Sequence, residues 1–278
     1  MVRDFTVGGL VGRTFTAWGQ NFGRFTAIGL LSTLPSAATM HVAMTRMMAW
    51  SQVTGAAALA EVEGPVAVEA AAAPDESTLA SVGVLMVVGV AAGLVLGMVQ
   101  MAALAHGTFG HLRGERVSLW SMIATGLRRG LPAILVGLVV WLAVTAGTLL
   151  LIAPGVFLAC ALAVAIPVAV VERGGVGKAL SRSFALTRGY RWRVLGGFLA
   201  LLGLVWMIAF AVQIGAGIAV GIASALLGGE GTTAALLLTQ AGNLLVSPIL
   251  GVGVAVAYHD LRAAKEGLDT SQIAAVFE

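Results

Sequence analysis

Leu180–Val194 reads LSRSFALTRGYRWRV and sets Arg182, Arg188, Arg191 and Arg193 between two long apolar stretches. Arginine clusters serve nucleic acids, acidic partners or membrane surfaces. The surrounding composition decides among them. Of 278 residues, 59% are hydrophobic and only 10% charged, and the mean hydropathy is +0.97. A soluble domain carries about 25% charged residues. There is too little polar surface here to cover a globule, so lipid is the expected solvent for most of the chain.

Six apolar stretches approach or exceed the ~20 residues that cross a bilayer. They lie at roughly 25–45, 79–105, 131–152, 155–171, 194–226 and 234–258. Pro154 and Gly155 predict a tight turn between the third and fourth, and the length of the fifth predicts a tilt or a break near Gly215 and Gly217. None of the six contains Asp, Glu, Lys or Arg, which disfavours a proton relay or an ion-coupled pump. Met1–Arg24 carries four charges and no continuous apolar core, so the first span is expected to act as an uncleaved anchor.

Charge placement orients these spans. With six crossings, fifteen of the sixteen Lys and Arg residues fall on one side. Only Arg46 falls opposite, in an Ala-rich connection at about 46–78 that also holds Glu61, Glu63, Glu69, Asp75 and Glu76. Lys and Arg concentrate in cytoplasmic loops, so both termini are expected inside. The formal charge of +3 and the pI near 9.6 follow from that bias. The 46–78 connection has few large apolar residues and is expected to be partial helix or disorder, not a domain with its own core.

A short basic segment precedes each pair of spans. On a helical wheel Val7, Leu10, Val11, Phe15, Ala17 and Trp18 share one face, opposite Arg13. The pattern returns at 176–188, where Arg182-Ser183-Phe184 repeats Arg13-Thr14-Phe15 and Arg193 repeats Arg24. A looser middle copy sets Trp120, Ile123, Ala124, Leu127 and Leu131 against Arg128 and Arg129. The predicted unit is an in-plane amphipathic helix followed by a transmembrane hairpin, present three times. Repeat 1 covers about 5–105, repeat 2 about 116–171, repeat 3 about 173–258, and a tail follows at 259–278. The expected fold is an all-α integral membrane protein, one transmembrane domain over 1–278. In this arrangement Arg13, Arg24, Arg128, Arg129, Lys178, Arg182, Arg188, Arg191 and Arg193 meet anionic lipid headgroups. Nucleic acid is not expected, because the aromatic residues share the apolar face and are not free to stack on bases.

Two stretches resemble a known family. Ala153-Pro154-Gly155-Val156-Phe157-Leu158 leads through Ala165-Ile166-Pro167 and Val171-Glu172 to Ala179-Leu180-Ser181-Arg182-Ser183 and Leu186-Thr187-Arg188-Gly189. The last span closes with Tyr258-His259-Asp260-Leu261-Arg262 and Lys265-Glu266-Gly267-Leu268-Asp269. Over about 150–270 the chain resembles the bacterial family typified by the membrane domain of glycerophosphoryl diester phosphodiesterases, which includes stand-alone six-span proteins. The resemblance implies a multi-pass inner-membrane protein. It does not imply phosphodiesterase chemistry, which belongs to a separate soluble barrel that this length leaves no room for.

Other constellations have weaker functional readings. Met40, His41 and Met44 suit Cu(I) in ligand type, although Met is also an adaptable filler between helices. His106 and His111 are five residues apart, a poor spacing for two ligands on one helix face. Cys160 lies in an apolar run and packs there. Gly89, Gly93 and Gly97 form a small-residue ridge for close helix packing, within the bundle or in a homo-oligomer. Gln213, Gln240 and Asn243 either bond to neighbouring helices or line a pathway. Glu172, Asp260 and Glu266, at cytoplasmic helix ends and with Arg262 among them, are expected to take part in pairing with arginines of the 173–193 segment. No catalytic triad, P-loop or dinucleotide motif appears, so no enzyme and no cofactor is expected. The leading reading is a membrane scaffold with a role in envelope or lipid homeostasis. A transporter or channel for a small uncharged or lipid-like substrate is the alternative.

Overall fold

The computed structural model describes residues 5–60, 76–172, 174–227 and 231–266. The side chains at 36, 49–60, 76–78, 223, 224, 226, 227, 231–241, 243 and 244 are not part of that description. The helices are α1 (Val7–Gln20), α2 (Phe22–Ala60), α3 (Glu76–Leu112), α4 (Leu119–Leu150), α5 (Ile152–Ala161), α6 (Ala165–Glu172), α7 (Gly175–Thr187), α8 (Arg191–Leu227) and α9 (Gly231–Glu266). The described residues contain no strand. Leu79–Leu112, Leu119–Leu150, Ile152–Glu172 and Arg191–Ile222 are each long and apolar enough to cross a membrane. Phe22–Pro35 and Ala37–Met48 form a fifth such stretch if counted together, with a 41° bend at Pro35. The expected sixth span lies in α9, part of whose side chains fall outside the described residues.

The chain divides into two compact units. Leu31–Gly97 holds most of α2 and the first part of α3, joined by a hydrogen bond from Arg46 Nη1 to Ser81 Oγ at 3.1 Å. The expected loop at 46–78 is helical to Ala60, and α3 begins at Glu76. Residues 61–75 lie outside the described residues. Gly89 is buried, while a Cβ on Gly97 would meet nothing within 4 Å.

The other unit comprises Met1–Leu30 and Met98–Glu278. Its helices begin where the sequence offers caps. Thr6 Oγ1 accepts from Gly9 N at 3.2 Å, and Ser118 Oγ accepts from Ser121 N at 3.2 Å. Gly114 and Gly189 take φ of 77° and 89°, so the turns that follow α3 and α7 use backbone that only glycine adopts cheaply.

The amphipathic face of α1 is buried in protein. Leu10, Thr14 and Ala17 are fully buried. Gly197 of α8 sits so close to Leu10 that a Cβ there would strike it, and Gly253 of α9 lies beside Thr14. The stripe expected to face acyl chains thus packs on α8 and α9, because glycines on both helices open a groove for it.

The middle copy is not a separate helix. α4 runs unbroken from Leu119 to Leu150, through Pro132, and Trp120, Leu127 and Leu131 are exposed. α8 likewise continues through Gly215 and Gly217, so of the expected tilt or break no break occurs there. The turn between α4 and α5 falls at Leu151, just before Pro154, which occupies the first turn of α5, where a missing N–H costs least.

The break between α5 and α6 has a clear physical cause and repair. Ala165 N bonds to Leu162 O at 3.0 Å, which leaves the Ala161 carbonyl without its helical donor. Ser183 Oγ and Thr187 Oγ1, one turn apart on α7, both donate to that carbonyl, at 2.9 and 3.2 Å. In an apolar setting a freed carbonyl needs such a partner. This explains why Ser183 and Thr187 point inward while Phe184 is 40% exposed.

Candidate functional site

Two polar regions lie in the larger unit. The first is an ion-paired junction at the end of α9. Arg13 Nη2 donates to Asp260 Oδ2 at 2.6 Å, tying α1 to α9, and the Asp260 side chain is only 9% exposed. Arg182 Nε donates to both oxygens of Glu172, at 3.1 and 3.2 Å, and Arg182 also pairs with Glu266. Tyr258 Oη donates to Glu172 Oε1 at 3.0 Å. Arg262 Nε donates to Glu266 Oε2 at 2.7 Å, and Lys265 Nζ donates to Ala185 O at 3.1 Å. α6, α7 and α9 are thus held together by charge-assisted bonds, the form in which charge is tolerated in a low-dielectric setting.

This network differs in one partner from the sequence expectation. Glu172 and Glu266 meet Arg182 of the 173–193 segment, but Asp260 takes Arg13 of α1. Two more arginines are engaged internally. The Arg191 guanidinium lies 4.4 Å from the Phe157 ring and 4.3 Å from the Phe184 ring. Arg193 Nη1 reaches Phe5 O at 3.5 Å. Arg13, Arg182, Arg191 and Arg193 therefore spend donors or charge on the protein itself, whereas Arg24, Lys178 and Arg188 are exposed.

The second region is a cavity of about 370 Å³ framed by α3, α4 and α6. His106, Arg113, Thr125, Arg128, Arg129 and Glu115 give it polar walls, and Phe109, Val170 and Val171 an apolar one. His106 Nε2 lies 3.1 Å from Ser121 Oγ, which joins α3 to α4 beside it. Three guanidinium groups face one carboxylate, and none of the three forms an ion pair with a carboxylate among the described residues. A neighbouring cleft of about 720 Å³ shares Glu115 and adds Arg24, His111 and Arg116. Guanidinium forks bind phosphate oxygens in a bidentate manner, so this arrangement suits a phosphate-bearing anion. Sequence reasoning set Arg128 and Arg129 at lipid headgroups and weighed His106 only as a metal ligand or an interfacial hydrogen-bonding group, and it did not single out Arg113 or Thr125. The signal was present, because His106 and Arg113 are two helical turns apart and share a face.

Other candidates are scattered. Gln213 is exposed in a mostly apolar cleft of about 390 Å³ with Trp206 and Phe210, which are 70% and 67% exposed. The side chains of Gln240 and Asn243 lie outside the described residues. Met40, His41 and Met44 are all exposed on α2. No group of three or more His, Cys, Asp or Glu that could hold a metal occurs among the described residues. The chain matches no protein-family model, no curated protein and no solved structure.

Proposed function

We propose that this chain is a non-enzymatic multi-pass protein of the bacterial inner membrane, with both termini cytoplasmic, that binds anionic phospholipid headgroups and acts as a scaffold in envelope or lipid homeostasis. One observation carries this reading: the cavity in which Arg113, Arg128 and Arg129 stand without ion-paired carboxylates among the described residues. Guanidinium groups at a cytoplasmic surface attract anionic lipid at about 1 kcal/mol each. Two further supports are the one-sided placement of Lys and Arg and the resemblance over 150–270 to a multi-pass inner-membrane family. A transport role has less behind it, because the described part of its expected lining, Gln213, sits in a cleft beside the exposed rings of Trp206 and Phe210.

The test uses the full chain in mild detergent, titrated with short-chain phosphatidylglycerol or phosphatidylcholine while its melting is followed. Phosphatidylglycerol is expected to stabilise the protein and phosphatidylcholine is not. In Arg128→Gln/Arg129→Gln the apparent affinity for phosphatidylglycerol drops about 30-fold, from about 1 kcal/mol per arginine. Equal affinity in wild type and variant overturns the proposal.

A further inference from the structure

We propose that the hairpin formed by α4 with α5 enters the bilayer without crossing it, so that its tip, Leu149–Ile152, ends among acyl chains short of the far face. That hairpin is then a re-entrant excursion and not a pair of spans. This rests on the membrane reading above but goes beyond it, since length and composition alone count Leu119–Leu150 and Ile152–Glu172 as spans.

The tip is the first observation. Leu149, Leu150, Leu151 and Ile152 are 83%, 81%, 67% and 74% exposed. From Leu149 to Ala161 no side chain is charged, and Cys160 is the nearest thing to a polar one. Turns that emerge into water are built from polar residues, Gly and Pro. Four consecutive exposed aliphatic side chains instead form a patch that calls for an apolar neighbour.

The second is the company that α5 keeps. Arg191 stacks on Phe157, and the α7 hydroxyls hold Ala161 O. Phe157 and Ala161 stand about 8 and 14 Å from Ile152 along α5. If the tip emerged on the far face, the Arg191 guanidinium would lie about 8 Å beneath that face, inside the hydrocarbon, where a cation is costly. Its neighbours Arg188, Trp192 and Arg193 would be drawn down with it. Placing Arg191 on the side of the other arginines leaves the tip about 8 Å farther in, among acyl chains and short of the far face. Only this placement satisfies both the cation and the four aliphatic side chains.

Cys160 is the chain's one cysteine, so accessibility can be mapped after Cys160→Ala. Leu150→Cys is compared with Arg116→Cys, which sits in the exposed turn between α3 and α4. Both are probed in sealed membranes of either orientation with an impermeant maleimide. The expected result is that Arg116→Cys reacts from one side and Leu150→Cys from neither, until detergent is added. Reaction of Leu150→Cys from the face opposite Arg116→Cys means a complete crossing and overturns the proposal. Reaction from the same face means an uninserted tip and overturns it too. A bimane on Leu150→Cys, reconstituted in brominated phosphatidylcholine, is expected to be quenched by bromines on the acyl chain. No quenching would place the tip inside protein, against a second copy, and would also overturn it. Extraction of the whole chain by alkaline carbonate would instead refute the membrane reading, so the two failures are distinguishable.

Discussion

α7 and the first turns of α4 carry the same kind of sequence, a basic amphipathic stretch with aromatic residues on its apolar side, yet they serve opposite ends. In α7 the inward face holds Ser183 and Thr187, and Arg182 is taken by Glu172 and Glu266. In α4 the apolar residues Trp120, Leu127 and Leu131 are exposed, and Arg128 and Arg129 have no ion-paired carboxylate among the described residues. α1 sides with α7, since its apolar stripe is buried and Arg13 is held by Asp260. What divides the copies is the supply of carboxylates. Glu172, Asp260 and Glu266 sit at the ends of α6 and α9 and convert nearby arginines into ties between helices. The α3–α4 turn offers only Glu115, and its arginines stay available for an external anion.

The contrast breaks most sharply at Arg13. Replacing it by Ala leaves the Asp260 carboxylate with little solvent and no guanidinium, a loss of about 3 kcal/mol. We expect a clearly lower melting temperature in detergent and proteolysis near α1, measured against Asp260→Asn. The neutral amide removes the stranded charge, so that variant loses less. Next comes the Ala161 carbonyl. Ser183→Ala or Thr187→Val alone leaves one hydroxyl donor and costs little. The double variant strands a buried acceptor, at about 2 kcal/mol. The singles should therefore fail to add up to the double, a coupling read from a double-mutant cycle of melting data. At the open end, Arg128→Gln/Arg129→Gln without lipid should shift stability by less than about 0.5 kcal/mol, as for ordinary surface positions.

How much of this was legible in the sequence depends on whether a local signal existed. Apolar length marked the long helices, and the faces of 7–18 and 176–186 marked α1 and α7 as short amphipathic helices. The α4 continuity was hidden because an amphipathic stretch running into an apolar one, with no breaker stronger than Pro132, reads equally as two helices or one. The glycines of α8 left tilt and break both open for a related reason, since helices in apolar surroundings tolerate Gly. Arg13 and Asp260 are 247 positions apart, and nothing local in either segment chooses between Arg13 and the nearer arginine cluster. The inward turn of Ser183 and Thr187 depends on a carbonyl freed at Ala161, which becomes visible only once the α5–α6 break is seen. The cavity beside His106 was half legible: its arginines were expected at a surface, but their meeting with His106 and Arg113 required the α3–α4 pairing.

The smallest expected effect lies within the paired junction itself, at Arg262. It donates to Glu266 at 2.7 Å from one helical turn away, and its side chain is 38% exposed. Exposed i,i+4 pairs contribute about 0.3–0.5 kcal/mol. Glu266 keeps Arg182 when Arg262 is lost, and Tyr258 keeps its bond to Glu172. Arg262→Gln should therefore cost less than about 0.5 kcal/mol, and that cost should fade as salt rises. A much larger loss would mean that Arg262, and not Arg182, organises the carboxylates of α6 and α9. The division between bonded and available arginines would then have to be redrawn around α9. Comparing Arg262→Gln with Arg182→Gln in the same melting assay, at low and high salt, decides which arginine holds the junction.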